Sequence, residues 1–306
     1  MQSVSYYFKN PSYSLTCILI KFSFLFPDKL YLKWLYRLNM GQKLHLDKPV
    51  TFNEKLQWLK LNDHNDRYPK LVDKCTAKEE VARMIGEQYI IKTIGVWNKP
   101  EDIDFDVLPN RFVLKVSNGS GGNDVVICKD KQSFDIKKAI SKLNDSLHGS
   151  QTYSHYREWP YKNIPRRIIA EEFISNPNGE ELIDYKVHVF NGEPKFILVC
   201  QNRYGEGGMT EDFYSTDWEL MKVKRPSHPN SINPMHKPAL LEEMLRLSKE
   251  LAKGIPFVRT DFYIVQDKIF FGEMTFYPAS GVVPFVPSSW DKTFGDWLDL
   301  SSVNHF

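Results

Sequence analysis

The sequence predicts an α+β fold, in which antiparallel hairpins carry the chemistry and amphipathic helices cover them. Three features predict it: the strand-turn-strand run 259–281, the Asn191-Gly192 pair between two β-rich segments, and helical spacing through the first seventy residues. With 306 residues, 42% apolar and 14% aromatic, the chain suffices for one large or two medium domains with packed cores. Forty basic against 38 acidic residues leave a formal charge of +2, so no global field marks a nucleic-acid partner. Cys17, Cys75, Cys128 and Cys200 lie far apart without a C-x-x-C pair, which suits free thiols in a reducing, cytoplasmic setting. Neither a disulfide nor a zinc site is expected, and the eight histidines have no ligand spacing.

Along the first seventy residues, Leu15 to Phe26 is the most apolar run, but Lys21 interrupts it and it is too short to span a bilayer. Two readings stay open for it: packing onto the main body, or peripheral membrane contact. Asp28 is placed to cap a helix with Tyr31, Trp34, Leu35 and Leu38 in its stripe, ending near Gly41. Thr51-Phe-Asn-Glu54 has capping-box spacing and opens a helix with Leu56, Leu59 and Trp58 inward. Asp73 to Gly86 reads as another helix, burying Val81, Met84 and Ile85 and leaving Lys74 and Lys78 solvated. Tyr89 to Val96 is β-rich, and Pro100 to Pro109, with four acids, reads as a surface connection.

Phe112 to Val116 and Asp124 to Cys128 read as strands joined by Ser117-Asn-Gly-Ser-Gly-Gly-Asn123. Such a loop exposes backbone N–H groups and lets a phosphate approach, and Lys115 stands just before it. It is not a Walker A loop, since no G-K-[ST] follows and the next element is a strand. Ser133 or Asp135 is placed to cap a helix burying Ile136, Ala139, Ile140, Leu143 and Leu147. Arg157 to Lys162 reads as an aromatic-packed loop without evident chemistry. Ile168 to Ile174 is a strand whose adjacent Glu171 and Glu172 point to opposite faces. Asp184 to Phe190 and Glu193 to Cys200 flank the Asn-Gly turn, and Asp184, Lys186 and His188 share a face that reads as solvent-exposed. Gln201 to Thr210, with Arg203, reads as a loop near the site, and Leu240 to Leu251 as an amphipathic helix stopped at Gly254.

In the last hairpin Arg259, Asp261 and Tyr263 share one face of the first strand, and Ile269, Phe271, Glu273 and Thr275 share one of the second. A three-residue loop, Gln266 to Lys268, sets Asp261 opposite Glu273; a two-residue loop puts the acids on opposite faces. Facing carboxylates repel unless a hard divalent cation sits between them, so a metal reading requires the longer loop.

These elements, in this order, resemble an ATP-grasp enzyme, and within that superfamily the teichuronopeptide-biosynthesis (TupA-like) amidoligases. The matching runs are T-F-N-E-K-L-Q-W-L-K at 51–60, L-V-D-K at 71–74, R-E-W-P-Y-K-N-I at 157–164, D-Y-K-V-H-V-F-N-G at 184–192 and the final hairpin. The resemblance implies two α/β subdomains with mainly antiparallel sheets clasping a nucleotide. Its segments are a helical region at 1–72, a subdomain with the glycine-rich loop at 73–170 and a subdomain with the metal site at 171–306. It implies ATP and Mg²⁺ as cofactors. Lys115, Lys186 and the loop residues Ser117, Gly119, Ser120, Gly121 and Gly122 meet the phosphates, Glu171 and Ile174 meet adenine, and Asp184 meets the ribose. Asp261, Glu273 and Thr275 hold the metal, with Thr275 standing where the superfamily more often has Asn. Arg259 and Arg203 stabilise charge on the transferred group. The reaction implied is carboxylate–amine ligation through an acyl phosphate, on a carboxylate-bearing sugar or polysaccharide with an amine or amino acid as acceptor. Two rivals are a sugar kinase, which would make a stable phosphoester, and a non-catalytic polysaccharide-binding or assembly protein, which needs no acid pair.

Overall fold

Two antiparallel sheets organise the chain. The structure is a computed structural model and describes residues 10–119, 124–149, 152–202, 208–301 and 303. Strands β1 (Thr93–Trp97), β2 (Phe112–Val116), β3 (Val125–Cys128) and β4 (Ile168–Glu172) form the smaller sheet in the order β1-β4-β2-β3. Strands β5 (Asp184–Phe190), β6 (Glu193–Gln201), β7 (Thr210–Ser215), β8 (Phe257–Val265) and β9 (Lys268–Thr275) form the larger in the order β7-β6-β5-β8-β9. Helices α1 (Pro11–Lys21), α2 (Asp28–Met40), α3 (Phe52–Asn62), α4 (Tyr68–Val72) and α5 (Ala77–Ile85) come first. Helices α6 (Ile136–His148) and α7 (Thr152–Tyr156) lie between β3 and β4, α8 (Leu241–Leu251) precedes β8, and α9 (Ser289–Trp297) follows the last strand.

Local chemistry sets the helix starts. The capping box at α3 forms as its spacing predicts, Thr51 accepting from the Glu54 N–H while Glu54 reaches back to the Thr51 N–H. Asp135, not Ser133, caps α6 by accepting from the Lys138 N–H. Asp28 is a correction: Pro27 occupies the cap, and Asp28 is the first helical residue, paired with Arg157 at 2.6 Å. The inward stripe of α2 is Tyr31, Leu32, Leu35 and Tyr36, and Trp34 is exposed instead. Within Leu15 to Phe26 only Thr16, Leu19 and Ser23 are buried, so the run does not pack fully onto the body. The 100–109 connection is also corrected. Ile103, Phe105 and Leu108 are buried against β2 and α6, while its four acids point outward.

The larger sheet is covered on both faces. One face carries Val187 and Thr260 under α8, with the Thr260 hydroxyl 2.9 Å from that of Ser248. On the other, Phe52 of α3 and Phe294 of α9 cluster with Phe190, Phe196 and Phe257. The Asp184-Lys186-His188 face is therefore buried rather than solvent-exposed. His188 stacks on Phe196 at 4.1 Å between ring centroids, and burial holds its imidazole well below the usual pKa. The aromatic cluster stops at His188, which leaves Lys186 and Asp184 facing a cavity.

The β8–β9 hairpin reaches its register by a different route from the one expected. Its turn has two residues, Gln266 and Asp267, since Val265 pairs with Lys268. A β-bulge then inserts one extra residue, Gly272, between the Phe262–Phe271 and Asp261–Glu273 pairs. The bulge reverses the facing that a two-residue turn alone would impose, so Asp261 opposes Glu273 and Arg259 opposes Thr275.

Candidate active site

A cavity of about 840 Å³ is lined from both sheets. From the smaller sheet come Lys115 of β2 and Glu171 of β4, on one face because the register sets Glu171 across from Val113, two residues before Lys115. The Lys115 ammonium lies 2.5 Å from Glu171 Oε2, and that of Lys78 lies 2.8 Å from Oε1. Lys78 also donates to the Ile91 carbonyl at 2.5 Å. Burial alone would raise the Glu171 carboxyl, but the charges of Lys115 and Lys78 overcome it and hold it at about 2. Glu172 is exposed and points away.

The larger sheet supplies the opposite wall. Lys186 Nζ lies 2.5 Å from Asp261 Oδ2 and 2.9 Å from Asp184 Oδ2. Arg259 donates through Nε to Asp261 Oδ1 at 2.7 Å, and its Nη2 reaches both Asp261 Oδ2 at 2.6 Å and Glu273 Oε1 at 3.0 Å. A positive charge thus already lies between the facing acids. Burial raises the Asp261 carboxyl, with Glu273 and Asp184 adding to the rise against Arg259 and Lys186. Glu273 is also pushed up by burial, but Lys74, Arg259, Lys186 and Lys115 outweigh this and hold it at about 2. Lys186 would be lowered by burial, yet Asp184 and Asp261 raise it, so it remains an ammonium.

Glu158, Tyr161, Tyr277 and Ser280 also line the cavity. Ala279 and Ser280 take successive left-handed conformations, φ 50° and 53°, unusual for residues with side chains. This turn aims the Ser280 hydroxyl at Glu158 Oε1, 2.6 Å away, and its carbonyl at the buried Lys60, 2.8 Å away. Burial raises the Glu158 carboxyl and lowers the Lys60 ammonium to about 8, each opposed by the other's charge.

Lys115, Gly119, Glu171, Asp184, Lys186, Arg259, Asp261, Glu273 and Thr275 are therefore brought together around one cavity. Ser117 and Ile174 are not in its lining. Ser117 is buried, with its hydroxyl donating to the Pro165 carbonyl and accepting from the Arg167 N–H, so it anchors the start of the loop. Ser120, Gly121, Gly122 and Arg203 lie outside the described residues. Sequence reasoning missed Lys74, Lys78 and Glu158. The two lysines, read as solvated, are only 19% and 13% exposed, and Lys74 reaches the Gly119 carbonyl at 2.5 Å and Glu273 at 3.8 Å. Their spacing of four beside a helix start was the available signal. Glu158 gave none.

The donors on the hairpin are carboxylate oxygens of Asp261 and Glu273 and the hydroxyl of Thr275, all hard ligands that suit Mg²⁺. Among the described residues no group of three or more His, Cys, Asp or Glu is gathered for a metal, so any ion here would draw the rest of its shell from substrate and water.

Residues 54–299 match the family model described as TupA-like ATP-grasp. The chain belongs to this family. Similar solved structures include the D-alanine–D-alanine ligase of Helicobacter pylori, at 16% identity and TM-score 0.41, covering 79% of this chain and 62% of that one. A RimK domain ATP-grasp protein of Sphaerobacter thermophilus has 11% identity and TM-score 0.41, with 76% and 68% covered. The ATP-grasp ligase PsnB, solved with a minimal precursor, Mg and ADP, has 12% identity and TM-score 0.38, with 73% and 57% covered. This TupA-like chain thus spans less than two thirds of the length of the first of these ligases. No curated protein matches it.

Proposed function

We propose that this TupA-like ATP-grasp protein is an ATP-dependent carboxylate–amine ligase. The observation that carries the reading is the facing pair Asp261 and Glu273, bridged by Arg259 and set across one cavity from Lys115. In this reading Lys115, Lys78 and Lys74 contact the nucleotide phosphates, assisted by the glycine-rich loop from Gly119 through Ser120, Gly121 and Gly122. Glu171, which fixes Lys78 and Lys115, accepts from the adenine amino group. Asp184 takes the ribose, Ile174 the adenine edge, and Lys186 a further phosphate oxygen. Asp261, Glu273 and Thr275 would hold Mg²⁺, which supplies charge neutralisation for phosphates when bound.

The chain's own residues then do mostly positioning and electrostatic work, as phosphoryl transfer demands. Arg259 swings from the acids to the transferred phosphoryl group, and Arg203 joins it there. The γ-phosphoryl of ATP passes to the substrate carboxylate, breaking the bond to the β-phosphate bridging oxygen and forming an acyl phosphate. The amine nitrogen bonds to the acyl carbon as the C–O bond to phosphate breaks, and the nitrogen's proton leaves on phosphate. The part of the cavity lined by Glu158, Tyr161 and Ser280 takes the carboxylate and amine substrates beside the transferred phosphoryl group. The family resemblance supports a carboxylate-bearing sugar or polysaccharide as donor and an amino acid or other amine as acceptor. Use of ATP and free thiols suit a cytoplasmic setting.

The test is ADP release with hydroxylamine across a panel of uronic acids. Hydroxamate is the expected product. A stable sugar phosphate in its place would make the protein a kinase and end the ligase reading.

A further inference from the structure

Large apolar side chains are mostly hidden in this protein, but those of α1 and the turn after it are not. Leu15, Ile18, Phe22 and Leu25 are between 42% and 61% exposed and, with Trp34, line an apolar groove of about 620 Å³ between α1 and α2. Phe24 stands beside it, 76% exposed. A patch of this kind marks an interaction surface rather than chance exposure. No described helix is long and apolar enough to cross a membrane, and α1 has only 11 residues.

Charge decides what fits the patch. On α2, Leu30, Trp34 and Leu38 recur every four residues as an apolar row, and Lys29, Lys33 and Arg37 form the basic row beside it. Arg37 lines the groove itself, and Lys21 ends α1 just before Phe22. The first fifty residues hold seven Lys and Arg against two acids, whereas the remainder holds 33 against 36. Four of those seven, Lys21, Lys29, Lys33 and Arg37, lie on α1 and α2 beside the exposed apolar side chains. Another protein's apolar face would fill the groove without needing this basic border. A lipid surface with anionic headgroups uses both.

We propose that α1 and α2 dock this protein on an anionic lipid surface. Phe22, Phe24 and Leu25 enter the acyl boundary, while Lys21, Lys29, Lys33 and Arg37 meet the headgroups. The docking face is joined to the catalytic cavity. The Tyr31 hydroxyl donates to the His155 carbonyl at 2.7 Å, and Arg157 reaches Asp28 and the Ser23 carbonyl, both at 2.6 Å. His155 and Tyr156 belong to the cavity lining, so docking orients that wall relative to the lipid.

The experiment is co-sedimentation of the full chain with vesicles of phosphatidylcholine alone, or of phosphatidylcholine with phosphatidylglycerol at about three to one. Binding to the anionic vesicles is expected, weakened about tenfold or more in the Lys29→Glu/Lys33→Glu double variant, at roughly 1 kcal/mol per basic residue. Phe24→Ser/Leu25→Ser should weaken it as well, and should keep the wild-type melting temperature because both side chains are exposed. Failure to sediment with anionic vesicles, or equal sedimentation of all three proteins, overturns the proposal. A dimer that dissociates in Phe24→Ser/Leu25→Ser without vesicle binding would assign the face to a second copy. That result, or absence of both, also overturns the lipid assignment.

Discussion

Glu171 is a buried carboxylate held by two lysines from different elements, Lys78 of α5 and Lys115 of β2. Its removal strands two ammonium groups near each other, so Glu171→Gln should cost about 3 kcal/mol in denaturant unfolding. The pH dependence has a definite sign. A folded value of about 2, below the ordinary 4.5, means that the stabilisation is complete above about pH 4.5 and is lost as pH falls towards 2. Unfolding curves across that window should fall more steeply for the wild type than for Glu171→Gln; parallel curves would show that Glu171 is not the group responsible. At this scale much was legible. Lys115 stood before a glycine-rich loop, and strand alternation separated Glu171 from Glu172. The partners of Lys74 and Lys78 were not legible, because a lysine near a helix start looks the same whether it meets solvent or a carboxylate brought from a distant strand, Glu273 of β9 for Lys74 and Glu171 of β4 for Lys78.

The β8–β9 hairpin rests on one residue that sequence reading passed over. Gly272 is the bulge residue, and a Cβ there would meet the Asp261 carbonyl oxygen at 3.1 Å and the Tyr263 ring at 3.2 Å. Gly272→Ala should therefore cost about 1–3 kcal/mol and weaken nucleotide binding as well, because Asp261 must shift. Unfolding and ATP titrations measure the two effects, and an unchanged ATP affinity would separate the bulge from the site. The facing of Asp261 and Glu273 was anticipated, but through a longer loop. Period-two alternation fixes faces only while the ladder is regular, and one glycine in a strand does not announce which way it will bulge. The Asn191-Gly192 turn needed no correction. Both residues have positive φ, 47° and 82°, and Phe190 pairs with Glu193 across them.

At the scale of the molecule the cavity belongs to neither sheet alone, and its charges interlock across the gap. Lys74, just before α5, reaches both Gly119 after β2 and Glu273 on β9. A bound nucleotide should accordingly slow amide exchange in β2, β4 and β9 together; protection confined to one sheet would contradict a ligand held between them. The helices themselves were legible, although the cap and stripe of α2 were misread at Asp28 and Trp34, and Ile136 of α6, expected inside, is exposed. That α3, α4 and α5 join the core of the larger sheet was not legible, since contacts such as Phe52 with Phe190 and Phe257 depend on tertiary docking. We propose that Asp261 and Glu273 form the metal-dependent half of a nucleotide site. Thermal unfolding of wild type and Glu273→Gln, with ATP alone and with ATP plus Mg²⁺, tests it most directly. Mg²⁺ should add to ATP's stabilisation of the wild type, by linkage. In Glu273→Gln, which stays folded, that increment disappears while the Mg²⁺-independent part remains. An equal Mg²⁺ increment in both proteins would contradict the assignment.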